Sequence, residues 1–297
     1  MKDLLTIREL EKEQIQAFLK ETENLKPLIR DKKVRNYSLN GSITTLFYEN
    51  STRTKLSFWL AAKYLGMLSD DLAISTSSVT KDETLIDTGE TIDAMGTDFI
   101  ILRHGKAGAS HLLAENVKAH VINAGDGTNE HPSQAILDMF TMKEAKGQLH
   151  GLKVVIAGDI KNSRVARSNI FGLLKMGADV VLAGPPTMVD FMDGVYQTAN
   201  MKEALKEADV VMGLRIQLER QALAVPSLDE YTRFFSVNEE VLSYAKKDVL
   251  VMHPGPVNRG IELSSALIDS DKSLILEQVE NGVAARMAVL KLLAEGI

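Results

Sequence analysis

Short apolar runs of strand length recur between segments with helical periodicity, and this alternation constrains the fold more than any other property of the chain. The first series is Ile43 to Tyr48, Leu72 to Ser75, Phe99 to Leu102 and Val121 to Asn123. A second series opens at Lys153-Val154-Val155-Ile156-Ala157-Gly158 and continues with Val180 to Ala183, Val210 to Met212 and Val249 to Met252. Runs without a polar alternate face must be covered on both sides, which is the situation of strands in a parallel sheet with helices packed above and below. The expected fold class is therefore α/β: two consecutive parallel-sheet α/β domains linked by long helices. The linking helices are expected at Pro132 to Lys146, ending in Gly147, and from about Leu274 to Leu293. Expected boundaries are residues 1–131, with a C-terminal helix of about 275–297 packing back on them, and residues 132–274. Residues 7 to 30 read as one amphipathic helix, with Ile7, Leu10, Ile15, Phe18, Leu19 and Leu25 apolar among many charges. A chain of 297 residues has room for two such cores.

Charge and composition narrow the function. A formal net charge of -6 argues against a nucleic-acid footprint, which needs clustered excess Lys and Arg. Anionic ligands must then be met by local groups of cations. Cysteine is absent, which rules out disulfides, thiolate metal sites and a cysteine nucleophile. The N-terminus runs straight into charged residues and no apolar run approaches membrane-spanning length, so a cytoplasmic protein without a membrane partner is expected.

Ligands of open α/β sheets sit beyond the carboxyl ends of strands, so the residues after each run are the candidates. Ile43 to Tyr48 leads into Ser51-Thr52-Arg53-Thr54-Lys55 and a helix that reads on through Leu56, Trp59, Leu60 and Leu65 to Gly66. In the first turn of that helix the backbone N–H groups have no intrahelical acceptor and the dipole is positive, so an oxyanion satisfies both. Arg53 adds a planar fork of donors suited to phosphate. The alternative is that Ser51 is an ordinary N-cap and that Arg53 and Lys55 are solvated helix charges. Arg103-His104, His131-Pro132-Ser133-Gln134, Asp159 to Arg164, Arg215-Ile216-Gln217 and His253-Pro254-Gly255-Pro256 follow other runs. Each has a plain reading as well: a capping His, a surface ion pair, a rigid turn, or, for Ser77 and Lys81, a surface loop. Together, at strand ends, they point to an anionic substrate.

Several chemistries find no motif. After Gly158 the chain lacks the further glycines of a dinucleotide fingerprint, and there is no phosphate loop of the nucleotide triphosphatases, no His-Glu-x-x-His and no Gly-x-Ser-x-Gly. His131 and His253 are not at metal-ligand spacing, so neither a metal nor a cofactor is expected.

Ser51-Thr52-Arg53-Thr54, Arg103-His104, His131-Pro132-Ser133-Gln134 and Arg215-Ile216-Gln217-Leu218-Glu219-Arg220, in this order, resemble the aspartate/ornithine carbamoyltransferase family over essentially the whole chain. Arg215-Ile216-Gln217, Asn123-Ala124-Gly125-Asp126-Gly127 and His253-Pro254-Gly255-Pro256 resemble its aspartate-specific members, and the Cys-containing segment typical of ornithine enzymes is missing. The resemblance implies transfer of the carbamoyl group of carbamoyl phosphate to the amine of L-aspartate, giving N-carbamoyl-L-aspartate and phosphate, an early step of de novo pyrimidine biosynthesis. Residues 1–131 would bind carbamoyl phosphate and 132–274 aspartate. Ser51, Thr52, Arg53 and Thr54 would hold the phosphate, and Arg103 would span phosphate and carbonyl oxygen. Thr54, Arg103 and His131 would stabilise the developing oxyanion. Gln134 and the carbonyl of Pro254, beside Gly255, would orient the carbamoyl NH2. Arg164 and Arg215, assisted by Gln217, would bind the aspartate carboxylates. Ser77 and Lys81 would reach the site of a neighbouring subunit, which implies a catalytic homotrimer with shared sites, inactive as a monomer. Ordered binding with domain closure is implied too. Whether trimers act alone, bind regulatory chains or join a dihydroorotase stays open.

Glu130, Asp82, Gly255 and Trp59 depart from the family's usual Gln, Gly, Leu or Ala, and Glu; Glu130 is expected to put a charge beside His131. Two alternatives stand beside the leading reading: a carbamoyltransferase for another amino acid such as ornithine, and a non-catalytic scaffold chain of a pyrimidine-pathway assembly.

Overall fold

The computed structural model describes residues 1–30, 37–72, 83–189, 192–216 and 227–296. They form two compact units: Met1–Phe140 with Glu280–Ile297, and Thr141–Val279. In the first, α1 (Lys12–Arg30), β1 (Ser42–Phe47), α2 (Thr52–Tyr64), β2 (Leu68–Leu72), α3 (Leu85–Ala94), β3 (Phe99–His104), α4 (Ala109–Ala114) and β4 (His120–Asp126) precede α5 (Pro132–Lys146). The second contains β5 (Lys153–Ala157), α6 (Arg164–Lys175), β6 (Asp179–Ala183), β7 (Tyr196–Thr198), α7 (Met201–Leu205), β8 (Val210–Gly213), α8 (Leu228–Phe235), α9 (Glu239–Leu242), β9 (Leu250–Met252) and α10 (Ser265–Ile268). The closing helix is α11 (Ile275–Ala294), and both α5 and α11 run through a boundary between the units.

Each unit has one parallel sheet, in the orders β2-β1-β3-β4 and β7-β6-β5-β8-β9. The central strands, with β4 and β9, are the continuous apolar runs. Ile100 on β3 lies between Thr44 and Val121 and is wholly buried with Leu46, Leu102 and Leu113. Val155, Val211 and Val251 occupy the same place in the second core. Two edge strands were less legible. β2 reads Leu-Ser-Asp-Asp-Leu and begins before the expected Leu72 to Ser75, of which only Leu72 is among the described residues, with Leu68 71% exposed. β7 carries no continuous apolar run at all. β4 and β9 also end their sheets, but Leu4 and Ser273 bridge them, whereas an uncovered edge strand needs less burial and its apolar signature fades.

The N-terminal helix starts later than its periodicity suggests, at Lys12 rather than residue 7. Residues 3–5 instead lie along β4: Leu4 bridges Ile122 in parallel, its amide donates to the Val121 carbonyl at 3.0 Å, and its carbonyl accepts from Asn123 at 2.9 Å. Ile7 and Leu10 are buried here without being helical, because a turn bonds the Leu10 amide to the Ile7 carbonyl at 3.2 Å.

Strand order positions the candidate residues. In the first sheet the chain goes from β1 outward to β2 and then returns to β3 on the other side of β1. In the second it goes from β5 through β6 to β7 and returns to β8 on the other side of β5. At such a reversal the loops leaving the two neighbouring strands diverge, and a crevice opens at the strands' carboxyl ends. Those neighbours are β1 and β3, and β5 and β8.

Truncating Ile100 to Ala is expected to cost about 2–5 kcal/mol of stability, whereas Leu68→Ala at the exposed edge stays within ~0.5 kcal/mol. Urea unfolding of both variants checks the contrast.

Candidate active site

At the first reversal, β1 ends at Phe47 and α2 begins at Thr52 with Ser51 in the N-cap position. Ser51 makes no side-chain capping bond, so its hydroxyl is not spent on the helix. The amides of Thr52, Arg53 and Thr54 open the helix, where no preceding turn supplies acceptors. Thr52 and Arg53 are exposed, and Thr54 is buried. Lys55 has a structural role instead, pairing with Asp71 on β2 at 2.8 Å and lying 5.4 Å and 5.9 Å from the Phe47 and Trp59 ring centres. Trp59 donates its indole N–H to Thr45 at 3.3 Å, which explains a tryptophan on this face of α2.

Arg103, at the end of β3, ties the neighbouring strand ends together. Its Nη1 donates to the Ala124 carbonyl at 3.1 Å and its Nε lies 3.6 Å from Glu49, just beyond β1. Glu49 thus has an arginine partner within its own unit. His104 beside it packs edge-on against Tyr48, and its Nδ1 accepts from the Lys106 amide at 3.0 Å. Burial holds its pKa below the ordinary 6.5, so the neutral ring is favoured.

The loop after β4 is organised by Asp126, which is fully buried. Its carboxylate accepts from the Gly108 amide (2.8 Å), the Glu130 amide (3.2 Å) and the side chains of Asn123 (2.7 Å) and Asn129 (3.1 Å). Gly127 makes this turn feasible: at φ +51° an added Cβ would stand 2.7 Å from the Ala107 nitrogen. The loop delivers His131, buried, to the start of α5, where its carbonyl accepts from Gln134 at 3.0 Å and Pro132 takes the first helical position. Gln134 is buried one turn on and donates its side-chain NH2 to Asp138 at 2.9 Å. Glu130, also fully buried, accepts from the amides of Ile7 at 2.7 Å and Arg8 at 3.3 Å. Its charge is engaged in pinning the N-terminal segment.

At the second reversal, Arg164 is the first residue of α6, behind a Ser163 N-cap that accepts from the Ala166 amide at 3.1 Å. Arg215 follows β8, where Leu214 donates to the Ala157 carbonyl at 2.8 Å and so keeps the two strand ends in step. Both arginines are half-buried. Asp159 shapes the turn into α6 by accepting from the Asn162 side chain at 3.1 Å, and burial pushes its carboxyl up. The third neighbouring end, after β9, carries His253, Pro254 and Gly255. His253 Nδ1 accepts the Gly255 amide at 2.8 Å, which leaves its ring proton on Nε2, 3.3 Å from the buried Glu262. Glu262 also accepts the Asn258 amide at 2.6 Å. Gly255 adopts φ +66°, a conformation that suits glycine where the family often has a larger residue. The buried Tyr231 phenol is held well above its usual range by desolvation and by the charges of Glu262 and Asp159. Ser77, Lys81, Asp82 and Gln217 lie outside the described residues. Among those described, no group of three or more His, Asp or Glu side chains is placed to hold a metal ion, and no helix is long and apolar enough to cross a membrane.

Two family models cover almost the whole chain: the carbamoyl-P binding domain of aspartate/ornithine carbamoyltransferases matches residues 2–144, and their Asp/Orn binding domain matches residues 150–293. The chain belongs to the aspartate/ornithine carbamoyltransferase family. Within that family it is 58% identical over 297 residues to the aspartate carbamoyltransferase catalytic subunit of Acetivibrio thermocellus, covering 98% of this chain and 95% of that one. Among solved structures, aspartate transcarbamoylase from Trypanosoma cruzi in complex with carbamoyl aspartate and phosphate superposes with a TM-score of 0.89 at 28% identity, over 97% of this chain and 94% of that one. Ornithine carbamoyltransferase from Pyrococcus furiosus gives 0.88 at 29% identity, over 100% and 98%. Fold alone therefore does not separate the two branches of the family; residue identity does.

The sequence motifs missed two buried carboxylates, Asp138, which accepts from Gln134, and Glu262, and quoted Asp126 without the loop-organising role it has here. The signal for Asp126 was the Gly-Asp-Gly sequence at the end of β4.

Glu130→Ala is expected to destabilise the first unit by about 2–3 kcal/mol, since two backbone amides lose a charged acceptor. Glu130→Gln, which keeps an acceptor for one amide but turns its NH2 towards the other, should cost less than Glu130→Ala by the same unfolding measurement. For His104 the folded pKa lies below the unfolded one, so its contribution to stability is complete above about pH 6.5 and is lost as pH falls through that range. His104→Gln should flatten the fall in unfolding midpoint between neutral and mildly acidic buffer.

Proposed function

We propose that this protein transfers the carbamoyl group of carbamoyl phosphate to the amine of L-aspartate, giving N-carbamoyl-L-aspartate and phosphate in pyrimidine biosynthesis. What carries the reading is the pair Arg164 and Arg215 on neighbouring strand ends of the second sheet. Two cations suit an acceptor with two carboxylates and oppose one with a cationic side chain such as ornithine. The 58% identity to an aspartate carbamoyltransferase catalytic subunit supports the same acceptor.

In the first unit, the opening amides of α2, the Ser51 and Thr52 hydroxyls and Arg53 hold the phosphate, and Arg103 reaches both phosphate and carbonyl oxygen. The amine of aspartate attacks the carbamoyl carbon as a neutral nucleophile. As the C–N bond forms, the carbonyl oxygen gains negative charge, which Thr54, Arg103 and His131 stabilise. The C–O bond to phosphate then breaks, and the leaving phosphate takes the proton lost by the amine. Gln134 accepts from the carbamoyl NH2. No covalent enzyme intermediate is required, because orientation and charge stabilisation supply the rate. Arg164, Arg215 and Gln217 hold the aspartate carboxylates.

Ser77 and Lys81 belong to the proposal as residues given to the site of a neighbouring subunit, making the working form a cytoplasmic homotrimer. Association with a regulatory chain or a dihydroorotase would add to that trimer and leave the chemistry unchanged.

Purified protein should form carbamoyl aspartate from carbamoyl phosphate and aspartate, and in a panel of amine acceptors aspartate should be preferred. Arg215→Ala should lower kcat/KM for aspartate about 10- to 150-fold, the equivalent of one or two lost charged hydrogen bonds. A preference for ornithine would overturn the acceptor assignment, and unchanged activity in Arg53→Ala would overturn the phosphate seat.

A further inference from the structure

Two buried side chains that the proposed chemistry leaves unused, an aspartate and an arginine, belong to the same unit as the phosphate seat. Asp138 on α5 is fully buried and accepts the Gln134 NH2 at 2.9 Å. Arg286 on α11, 3% exposed, donates to the Gly282 carbonyl at 3.0 Å and lies over the ring of Phe58 at 5.1 Å. Burial pulls Arg286 down to about 10 against the opposing pull of Asp138, which leaves it a cation at neutral pH. A buried cation of this kind keeps a nearby carboxylate ionised, since neither charge is stable alone in a desolvated interior.

We infer that Asp138, by accepting the Gln134 NH2, sets which way round the Gln134 amide faces and so makes Gln134 an acceptor for the carbamoyl NH2. The inference rests on the carbamoyl phosphate half of the function proposed above. A carboxylate has no proton to donate, so only the NH2 end of the Gln134 amide can face it. The reversed amide would bring two oxygen acceptors together at 2.9 Å, the distance now spanned by a hydrogen bond. With the nitrogen committed to Asp138, the oxygen is the end offered to the ligand. Carbamoyl phosphate presents an NH2 there. Acetyl phosphate presents a methyl group on an otherwise similar frame, so it cannot gain from the oriented oxygen. Asp138 is accordingly a positioning residue: it touches neither the substrate nor the reacting atoms, and it acts on selectivity between carbamoyl and acyl donors. Arg286 stands one step further back, and its contact with Phe58 places it against the helix whose first turn is the phosphate seat.

The test is calorimetric binding of carbamoyl phosphate and acetyl phosphate to the full-length protein and to Asp138→Asn, whose amide can present either a donor or an acceptor to Gln134. The wild type should prefer carbamoyl phosphate. In Asp138→Asn that preference should fall about tenfold, the worth of one hydrogen bond, while acetyl phosphate binding stays within about twofold. In a Gln134→Ala background, Asp138→Asn should cause no further change in preference, because the two residues act as one unit. Asp138→Ser, whose hydroxyl also donates or accepts, makes the same comparison should the Asn variant not fold. Equal weakening of both ligands, or an additive loss in the Gln134→Ala background, would overturn the inference. Failure of the wild type to bind carbamoyl phosphate would instead overturn the proposed function on which it rests.

Discussion

The carboxyl ends of the strands on either side of a chain reversal are the constraint on which this molecule depends. In a parallel sheet every strand ends at the same edge, and at a reversal the connections leaving two neighbours part to opposite faces. In the first sheet those neighbours deliver the opening turn of α2 and Arg103; in the second they deliver Arg164 and Arg215. Donors far apart in the chain thus meet without long loops. The backbone bonds that keep paired ends in step, Tyr48 to Arg103 and Leu214 to Ala157, are as much a part of this arrangement as the side chains.

Buried carboxylates hold the loops that carry the candidate side chains. Asp126 gathers two amides and two asparagine side chains, Glu262 holds the Asn258 amide and faces His253, and Glu130 takes the amides of Ile7 and Arg8. A desolvated carboxylate is costly unless donors surround it, and once they do, the loop has few other conformations of similar energy. The site is made rigid from behind by acceptors, while the surfaces offered to an anionic ligand are donors. This division of labour accounts for an acidic protein that carries a cationic site.

Legibility followed burial. The central strands of both sheets could be read because they are buried on both faces and spelled by unbroken apolar runs, as in Val154 to Ala157. β2 and β7 could not, because an edge that no further segment bridges, unlike those of β4 and β9, tolerates Ser69, Asp70 or Gln197 where a covered strand requires Val or Ile. Ile7 and Leu10 fit helical spacing yet pack as part of an extended segment and turn, since periodicity records which residues are buried and not which partner buries them. Among the candidate site residues, Ser51, Arg53, Arg103, His131, Arg164 and Arg215 were legible as polar side chains directly after strands. Lys55 belonged to the same motif but serves Asp71 instead.

The sequence by itself determined the α/β class, the central strands, the helix start behind Ser51, and the donor set at the strand ends, because these follow from local periodicity and from what an apolar strand can be followed by. Only the tertiary structure decided strand order, and with it which loops stand at a reversal. It also decided which polar groups are desolvated together: Glu130 with the Ile7 amide, Asp126 with Gly108, Asp138 beside Arg286. Those partners lie many residues apart in the chain, and the energy that selects them arises only when folding excludes water from both at once.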